Sequence, residues 1–120
     1  MAAEIVNFEP LPAAEPSTPA ADRLIAGTPR QEIRNVYADR TGQFFAGQWS
    51  SSVGCWRVRY TEHEFCHMLA GRVRIVSESG IANEYVAGQS FVVPAGFAGT
   101  WEVVEPATKL YALFESAQGR

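Results

Sequence analysis

The chain has 120 residues, of which 47% are hydrophobic and 19% are charged, and its formal net charge is −3. This length suits a single domain, and the composition is that of a globular protein rather than a disordered chain. The negative charge argues against a surface that grips a nucleic-acid backbone. No apolar stretch approaches the roughly 20 residues that a membrane-spanning helix needs. We therefore expect neither nucleic acid nor a membrane as a partner.

Two features of the sequence favour a cytoplasmic location. Residues 1–4 form neither a basic region nor an apolar one, so this segment does not resemble a secretory signal. Cys55 and Cys66 are too few for a disulfide framework, and they do not form a Cys-x-x-Cys pair. We expect both to be free thiols in a reducing compartment.

The first thirty residues differ from the rest because they are rich in proline. Among alanines and acidic residues they contain Pro10, Pro12, Pro16, Pro19 and Pro29. Proline has no amide donor and cannot sit inside a β-ladder. We predict that residues 1–30 form an extended arm with one short helical turn near Ala20–Ala26, and that the arm lies across the folded body or a neighbouring subunit. Residues 31–120 would form the single domain.

From about Ile33 onward the sequence is typical of β-structure. Short stretches rich in β-branched and aromatic residues recur, separated by glycine and small polar residues. One hairpin turn is predicted at residues 78–80, because Gly80 can take a positive φ without steric cost. Many short strands at close spacing predict an all-β sandwich or small barrel. The predicted strands are Ile33–Tyr37, Phe44–Trp49, Cys55–Tyr60, Glu64–Leu69, Val73–Ser77, Ala82–Val86, Ser90–Val93, Gly99–Val104 and Leu110–Glu115.

Two spacings in the second half of the chain match those of a known superfamily. Glu64 is followed by six residues and then Gly71, and Gly88 is followed by five residues and then Pro94, with Gly96 two positions further on. The stretch over residues 54–115 resembles the cupin superfamily. This resemblance implies a double-stranded β-helix, or jelly-roll barrel, with Glu64 facing its interior, and it implies a homodimer. Residues 88–111 resemble more narrowly the ureidoglycine aminohydrolase-like cupins, through Gly96, Trp101, Glu105, Pro106, Lys109 and Tyr111.

The chain lacks most of the residues that would hold a metal ion in the cupins it resembles. Counting back along the first motif, the two histidines would stand at Val58 and Tyr60, or at Arg57 and Arg59 with the longer spacing. The third would stand at residue 99, which is a glycine. The related aminohydrolase resembles an enzyme that holds manganese through carboxylate, imidazole and amide groups, and such ions need several donors converging on one point. We therefore expect no metal site and no cofactor.

The two histidines leave one alternative open. His63 and His67 share one face of their predicted strand, whereas Glu64 and Cys66 share the other. The simplest interpretation makes both histidines ordinary polar residues at a surface or a subunit contact. A bulge could instead turn His63 toward Glu64, and His63, Glu64 and Glu62 would then form a metal site. Cys66 is interpreted as a structural thiol, because a nucleophile would need a base or a cation that lowers its pKa.

Strand alternation predicts which residues line the barrel. Trp56 and Tyr60 share the inner face of one strand, and Trp101 shares that of another with Gly99. The missing side chain at Gly99 would leave space near the mouth of a pocket. Small-ligand pockets have such aromatic walls with a few polar groups, although side chains alone can also fill a barrel of this size. The candidate ligand-binding residues are Trp56, Tyr60, Glu64, Cys66, Trp101, Lys109 and Tyr111.

Glu64 is the candidate catalytic residue. A carboxylate in an apolar barrel is costly to keep charged, so its pKa should rise unless a cation pairs with it. Two outcomes are open: a protonated Glu64 bonded to Tyr60, or an ionised Glu64 beside Lys109 or a cationic ligand. Arg57 and Arg59 alternate with the inner face, so we expect them to point outward. They would meet acidic residues of a neighbouring sheet or subunit, or form a solvated charged face, which is the usual explanation for such residues.

Three functions remain open from the sequence. A binding module would hold a small polar or amine-bearing metabolite against Glu64, with Tyr60 and Trp101 stacking on it. A hydrolase resembling ureidoglycine aminohydrolase would act on a ureido or amino-acid-like substrate, and without a metal-activated water Glu64 would serve as the general acid or base. A structural or interaction protein would have a filled barrel and would pair through outward apolar residues such as Phe65. We favour the binding module.

Overall fold

The computed structural model describes residues 3–117, which contain nine β-strands and no α-helix. The all-β prediction is therefore confirmed. No helix in this part of the chain is long and apolar enough to cross a membrane. The strands are β1 (Glu15–Ser17), β2 (Leu24–Gly27), β3 (Gln31–Ala38), β4 (Phe44–Ser51), β5 (Gly54–Arg59), β6 (His63–Ser77), β7 (Ala82–Val86), β8 (Ser90–Val93) and β9 (Ala98–Phe114).

Two long antiparallel strands, β6 and β9, organise the sheet. They pair with each other along nearly their whole length. On its other edge, β9 pairs with β5 through residues 98–103 and with β4 through residues 107–114. The other edge of β6 pairs with β8 and, further along, with β7. Because both long strands change partners halfway, the sheet curls around its own core, as the jelly-roll prediction requires.

Both long strands pass through positions at which the sequence predicts a break. The expected gaps at residues 70–72 and 105–109 lie inside β6 and β9. Gly71 accounts for the continuity, because its φ of +84° and the register shifts between Met68 and Val73 form a bulge. A Cβ atom at Gly71 would overlap the carbonyl oxygen of Pro106 on the facing strand. A bulge bends a strand without ending it. The two strands predicted on either side of each break therefore form one continuous strand, β6 in the first case and β9 in the second.

The proline-rich segment before residue 31 contributes β1 and β2. The first pairs with β3 and the second with β5, so the two cover opposite edges of the path β3-β4-β9-β5. Arg34 also donates a hydrogen bond from Nη1 to the Pro12 carbonyl oxygen at 2.8 Å. The helical turn predicted over Ala20–Ala26 is wrong for its second half: a turn at residues 21–23 leads directly into β2. An unpaired edge of β5 offers backbone partners that outweigh a local helical preference.

The inward-facing side chains form one core. Cys66 and Met68 on β6 are 0% and 1% exposed, which confirms the predicted inner face of that strand. Phe65 points outward, as predicted, and is 47% exposed beside Val92 on β8, which is 60% exposed. Pairing of two subunits through such an apolar outer surface stays a prediction, which a monomeric mass in solution would contradict. The largest fully buried side chains are those of Trp101, Met68, Val73, Val103 and Cys66.

Candidate functional site

The interior of the curled sheet brings one carboxylate and one ammonium group together. Glu64 on β6 and Lys109 on β9 have side chains that are only 8% and 5% exposed. Lys109 Nζ donates a hydrogen bond to Glu64 Oε2 at 2.9 Å, and Tyr60 Oη donates one to Glu64 Oε1 at 2.8 Å. Glu64 therefore contacts both of the partners that the sequence left as alternatives, one at each carboxylate oxygen.

Lys109 points into the barrel, a direction that the sequence left open. Besides Glu64, its Nζ lies 3.5 Å from Cys66 Sγ. The same atom is 4.3 Å from the ring centroid of Trp101 and 4.8 Å from that of Trp49, and aromatic faces attract cations. Burial by itself lowers the pKa of Lys109, but the carboxylate of Glu64 outweighs it and raises the pKa above its ordinary value. Lys109 is therefore an ammonium at neutral pH.

The donor atoms around Glu64 do not suit a metal ion. Two of the expected ligand positions, Val58 and Gly99, offer no side-chain donor at all. Burial and the Glu64 carboxylate raise the pKa of Tyr60 far above its ordinary value, and burial raises the pKa of Cys66 to about 12. Both groups therefore keep their protons at neutral pH. In residues 3–117 no group of three or more His, Cys, Asp or Glu side chains could hold a metal ion. The residues present fit an ion pair and not a metal centre.

A cavity of about 340 Å³, which we term the barrel cavity, opens onto this ion pair. Three tryptophans form much of its wall: the rings of Trp49 and Trp101 meet edge to face at 6.0 Å, and those of Trp49 and Trp56 are tilted at 6.3 Å. The volume falls in the range of roughly 300–1,000 Å³ that is usual for small-molecule sites. The wall also includes Tyr60, Glu64 and Lys109.

Five of the seven predicted ligand-binding residues line the barrel cavity, and two do not. Cys66 is fully buried and contacts Lys109, so its thiol does not reach the cavity surface. Tyr111 lines a second, apolar cavity of about 420 Å³ on the other side of Glu64, where its Oη donates to Asn35 Oδ1 at 2.6 Å. The five that share the barrel cavity are Trp56, Tyr60, Glu64, Trp101 and Lys109.

Trp49 lines this cavity beside the ion pair, although it is not among the candidate residues predicted from the sequence. It lies on β4 directly opposite Lys109 on β9, and so its ring meets the ammonium group. The sequence did predict a strand ending at Trp49, and alternation then allows only two orientations for its side chain. Nothing in that strand indicated which face is inward, because no residue of the cupin motifs falls there.

Gly99 does not open the barrel cavity, so the expectation of extra space at this position is wrong. A Cβ atom at Gly99 would overlap the Val76 carbonyl oxygen. The glycine is required because the backbones of β6 and β9 approach each other closely at this end of their ladder. It lines instead a groove of about 270 Å³ that adjoins the barrel cavity and shares Val58 with it.

Trp101 carries the one buried side-chain polar atom without a hydrogen-bond partner in residues 3–117, its indole Nε1. The side chain is 2% exposed. Buried N–H groups are nearly always paired, and an unpaired one costs about 1–3 kcal/mol. Trp101 lines the barrel cavity through other atoms of its ring, whereas Nε1 itself has almost no surface open to the cavity.

The histidines lie outside this site. His63 Nδ1 accepts a hydrogen bond from the Ala95 amide at 3.1 Å, and its ring stacks on Phe114 at 6.5 Å. His67 Nδ1 lies 2.8 Å from Ser90 Oγ. The alternative metal site at His63 is therefore not formed among residues 3–117, where both histidines serve as ordinary polar residues.

The curled antiparallel sheet and its interior carboxylate define the protein as a cupin. Residues 38–111 match the EutQ-like cupin domain, and the chain belongs to that family. No curated protein sequence matches the chain.

Solved structures with the same fold come from several bacteria. A protein of unknown function in the DUF861 family from Pseudomonas syringae is 24% identical, with a TM-score of 0.78. The match covers 86% of this chain and 45% of that protein, so the chain spans less than half the length of that relative. The EutQ protein of Clostridium difficile is 14% identical, with a TM-score of 0.66, and 84% of this chain aligns with 75% of it. A Thermotoga maritima protein of the DUF861 family is 31% identical over 56% of this chain and 76% of its own, with a TM-score of 0.55.

Proposed function

We propose that this protein binds a small polar metabolite in the barrel cavity without a metal centre. The observation that carries the proposal is a cavity of about 340 Å³ whose wall combines three tryptophans with a buried ion pair. Aromatic walls supply stacking and apolar contact, and a few fixed polar groups supply orientation. A barrel filled by its own side chains would instead have favoured a purely structural role.

The contacts of Glu64 narrow the chemistry of that metabolite. Tyr60 and Lys109 already occupy its two carboxylate oxygens. Each oxygen can accept a further hydrogen bond, but the ammonium of Lys109 already neutralises the carboxylate and would repel a second cation placed beside it. The tryptophan rings of the wall, by contrast, are free to pack against a ligand. A ligand with a planar or apolar portion therefore suits the cavity better than one recognised through an amine alone.

A hydrolase of the ureidoglycine aminohydrolase type is our second proposal. Its support is the cupin motif spacing and the carboxylate retained at Glu64. For catalysis, Glu64 would have to exchange a proton with a substrate while two neighbours occupy its oxygens. The imidazole and amide donors that would hold manganese in that enzyme have no counterpart at Val58 or Gly99. We therefore rank this proposal below the binding module.

Ligand binding can be tested by thermal shift and tryptophan fluorescence with a panel of small ureido compounds, amino acids and cyclic amides. We expect at least one member of the panel to raise the melting temperature saturably. Trp101→Phe replaces the indole by a smaller ring and so removes part of the aromatic wall, and the affinity for a ligand that packs on this wall should fall about tenfold. Tyr37→Phe removes a polar hydrogen from an exposed ring outside the cavity and should bind normally. No saturable response anywhere in the panel would contradict the proposal.

The metal-free nature of the site has its own test. Elemental analysis of protein purified without chelators should find no stoichiometric manganese, iron, nickel or zinc, because the buried ammonium already neutralises Glu64. A stoichiometric ion that disappears in Glu64→Gln would overturn this expectation and move the hydrolase to first place.

A further inference from the structure

A groove of about 270 Å³, which we term the outer groove, adjoins the mouth of the barrel cavity and shares Val58 with its wall. Arg57 and Arg59 on β5 line it together with Arg23, which lies in the turn before β2. Strand alternation places the side chains of Arg57 and Arg59 on the face opposite to Trp56 and the barrel core. The same three arginines also border the mouth of the barrel cavity. They therefore concentrate positive charge where two concave surfaces meet.

These three guanidinium groups have no acidic partner in the described part of the chain. Arg34, Arg72 and Arg74 each lie within 4.0 Å of a glutamate oxygen, but Arg23, Arg57 and Arg59 do not. The expectation that Arg57 and Arg59 meet acidic residues of a neighbouring sheet is thus wrong within residues 3–117. The chain carries thirteen acidic residues against ten basic ones, so carboxylates are not scarce. Three like charges around one groove repel one another, and a bound anion would relieve that repulsion.

The backbone holds these arginines in place. The Arg57 amide donates to the Arg23 carbonyl oxygen at 2.9 Å, and the Arg23 amide donates to the Ala20 carbonyl oxygen at 2.9 Å. Arg59 is two residues further along the same strand, and Thr100 lies opposite Arg57 on β9 and lines the same groove. Arginines on a strand and a hydrogen-bonded turn can meet an anion without first ordering a loop, which reduces the entropic cost of binding.

We propose that Arg23, Arg57 and Arg59 form a binding site for a small oxyanion, a phosphate or carboxylate group, in the outer groove. Guanidinium groups present paired N–H donors that match the oxygens of both anions. The groove is smaller than most metabolite pockets, so it suits a single anionic group. Glu78 is the one carboxylate in its wall and forms no ion pair with these arginines among the described residues, which leaves the groove net positive. This site does not depend on the function proposed for the barrel cavity.

The test is a titration of isotope-labelled protein with inorganic phosphate, and separately with acetate, at constant ionic strength in sodium chloride. Amide signals of residues 57–59 and 98–100 should shift saturably with at least one of the two anions. The anion that does so identifies the class as phosphate or carboxylate. In Arg57→Ala/Arg59→Ala the affinity should fall about tenfold or more, because two charge-assisted contacts are lost. Both arginines are exposed, so this variant is expected to fold.

Arg40→Ala is the matched control, since it removes an exposed arginine from the turn between β3 and β4, away from the groove. It should bind the anion as the unaltered protein does. The proposal is overturned if neither anion gives saturable shifts, or if the double variant binds as tightly as the control. It is also overturned if the shifts fall on the tryptophan indole signals of the barrel cavity instead of the outer groove.

Discussion

Replacing Lys109 by methionine is expected to lower the free energy of unfolding by about 3–5 kcal/mol, because it leaves the carboxylate of Glu64 buried without its cation. The ammonium and the carboxylate are 2.9 Å apart, and both side chains are almost fully buried. Methionine fills a similar volume, so most of the loss comes from charge rather than packing. Urea denaturation of the two proteins measures the difference.

Two variants control this experiment. Arg72→Met makes the same type of change in an exposed ion pair, where Arg72 and Glu84 are 3.0 Å apart; it should cost less than about 1 kcal/mol. The double variant Glu64→Gln/Lys109→Met removes both charges and should recover much of the stability lost in Lys109→Met. A cost for Lys109→Met as small as that for Arg72→Met would show that Glu64 does not need its cation.

The same ion pair gives a direction for the pH dependence of stability. The pKa of Lys109 is raised in the folded protein. A raised pKa means that the folded state holds its proton more tightly than the unfolded chain does, so this stabilisation is present below the unfolded lysine pKa of about 10.4. This stabilisation is lost as the pH rises from the unfolded lysine pKa through the higher pKa that Lys109 has in the folded protein. The stability gap between the unaltered protein and Lys109→Met should therefore close in alkaline solution and not near neutrality.

Replacing Gly71 by alanine is expected to cost about 3 kcal/mol or more, through two effects that add at one position. Gly71 has a φ of +84°, which L-residues adopt only with strain, and a Cβ atom there would overlap the Pro106 carbonyl oxygen on β9. Because the facing group is backbone, it cannot move aside without disturbing the bend of both long strands. Chemical denaturation would measure the loss.

Gly80→Ala separates these two effects. Gly80 also has a positive φ, of 95°, but no atom lies within 4 Å of the position a Cβ would take. Its cost should be that of the backbone conformation alone, about 1–2 kcal/mol. If both variants lose the same stability, the close approach between Gly71 and Pro106 does not constrain the fold.

A lysine beside the carboxylate changes the chemistry open to this cupin. An ammonium can donate hydrogen bonds and neutralise a neighbouring charge, but it has no coordination position at which a water molecule could be activated. Acid–base catalysis at this site would involve proton transfer among Glu64, Tyr60 and Lys109. The raised pKa values of Tyr60 and Lys109 keep both protonated near neutrality, so neither can serve as a base there. This agrees better with binding than with hydrolysis.

The strands and their inner faces could be predicted because both depend on local patterns. Alternation with period two, together with the position of Glu64 in the cupin motif, is enough to place Trp56, Cys66 and Trp101 inside. The same reasoning correctly turned Phe65 outward. The prediction of a break near Gly71 was wrong, because a bulge keeps β6 continuous there. A bulge depends on the register of pairing with the facing strand, which the local sequence does not show. The prediction of extra space at Gly99 was wrong for the same reason.

The sequence by itself determined that this chain is an all-β cupin, that one carboxylate is retained inside, and that the other expected ligand positions lack histidine. Only the tertiary structure decided that Lys109 reaches Glu64 and that the ring of Trp49 lies against the Lys109 ammonium group. It also decided that three arginines line the outer groove. Each of these contacts joins strands that are distant along the chain. Their formation depends on pairing register and on the curl of the sheet, which no local pattern of residues records.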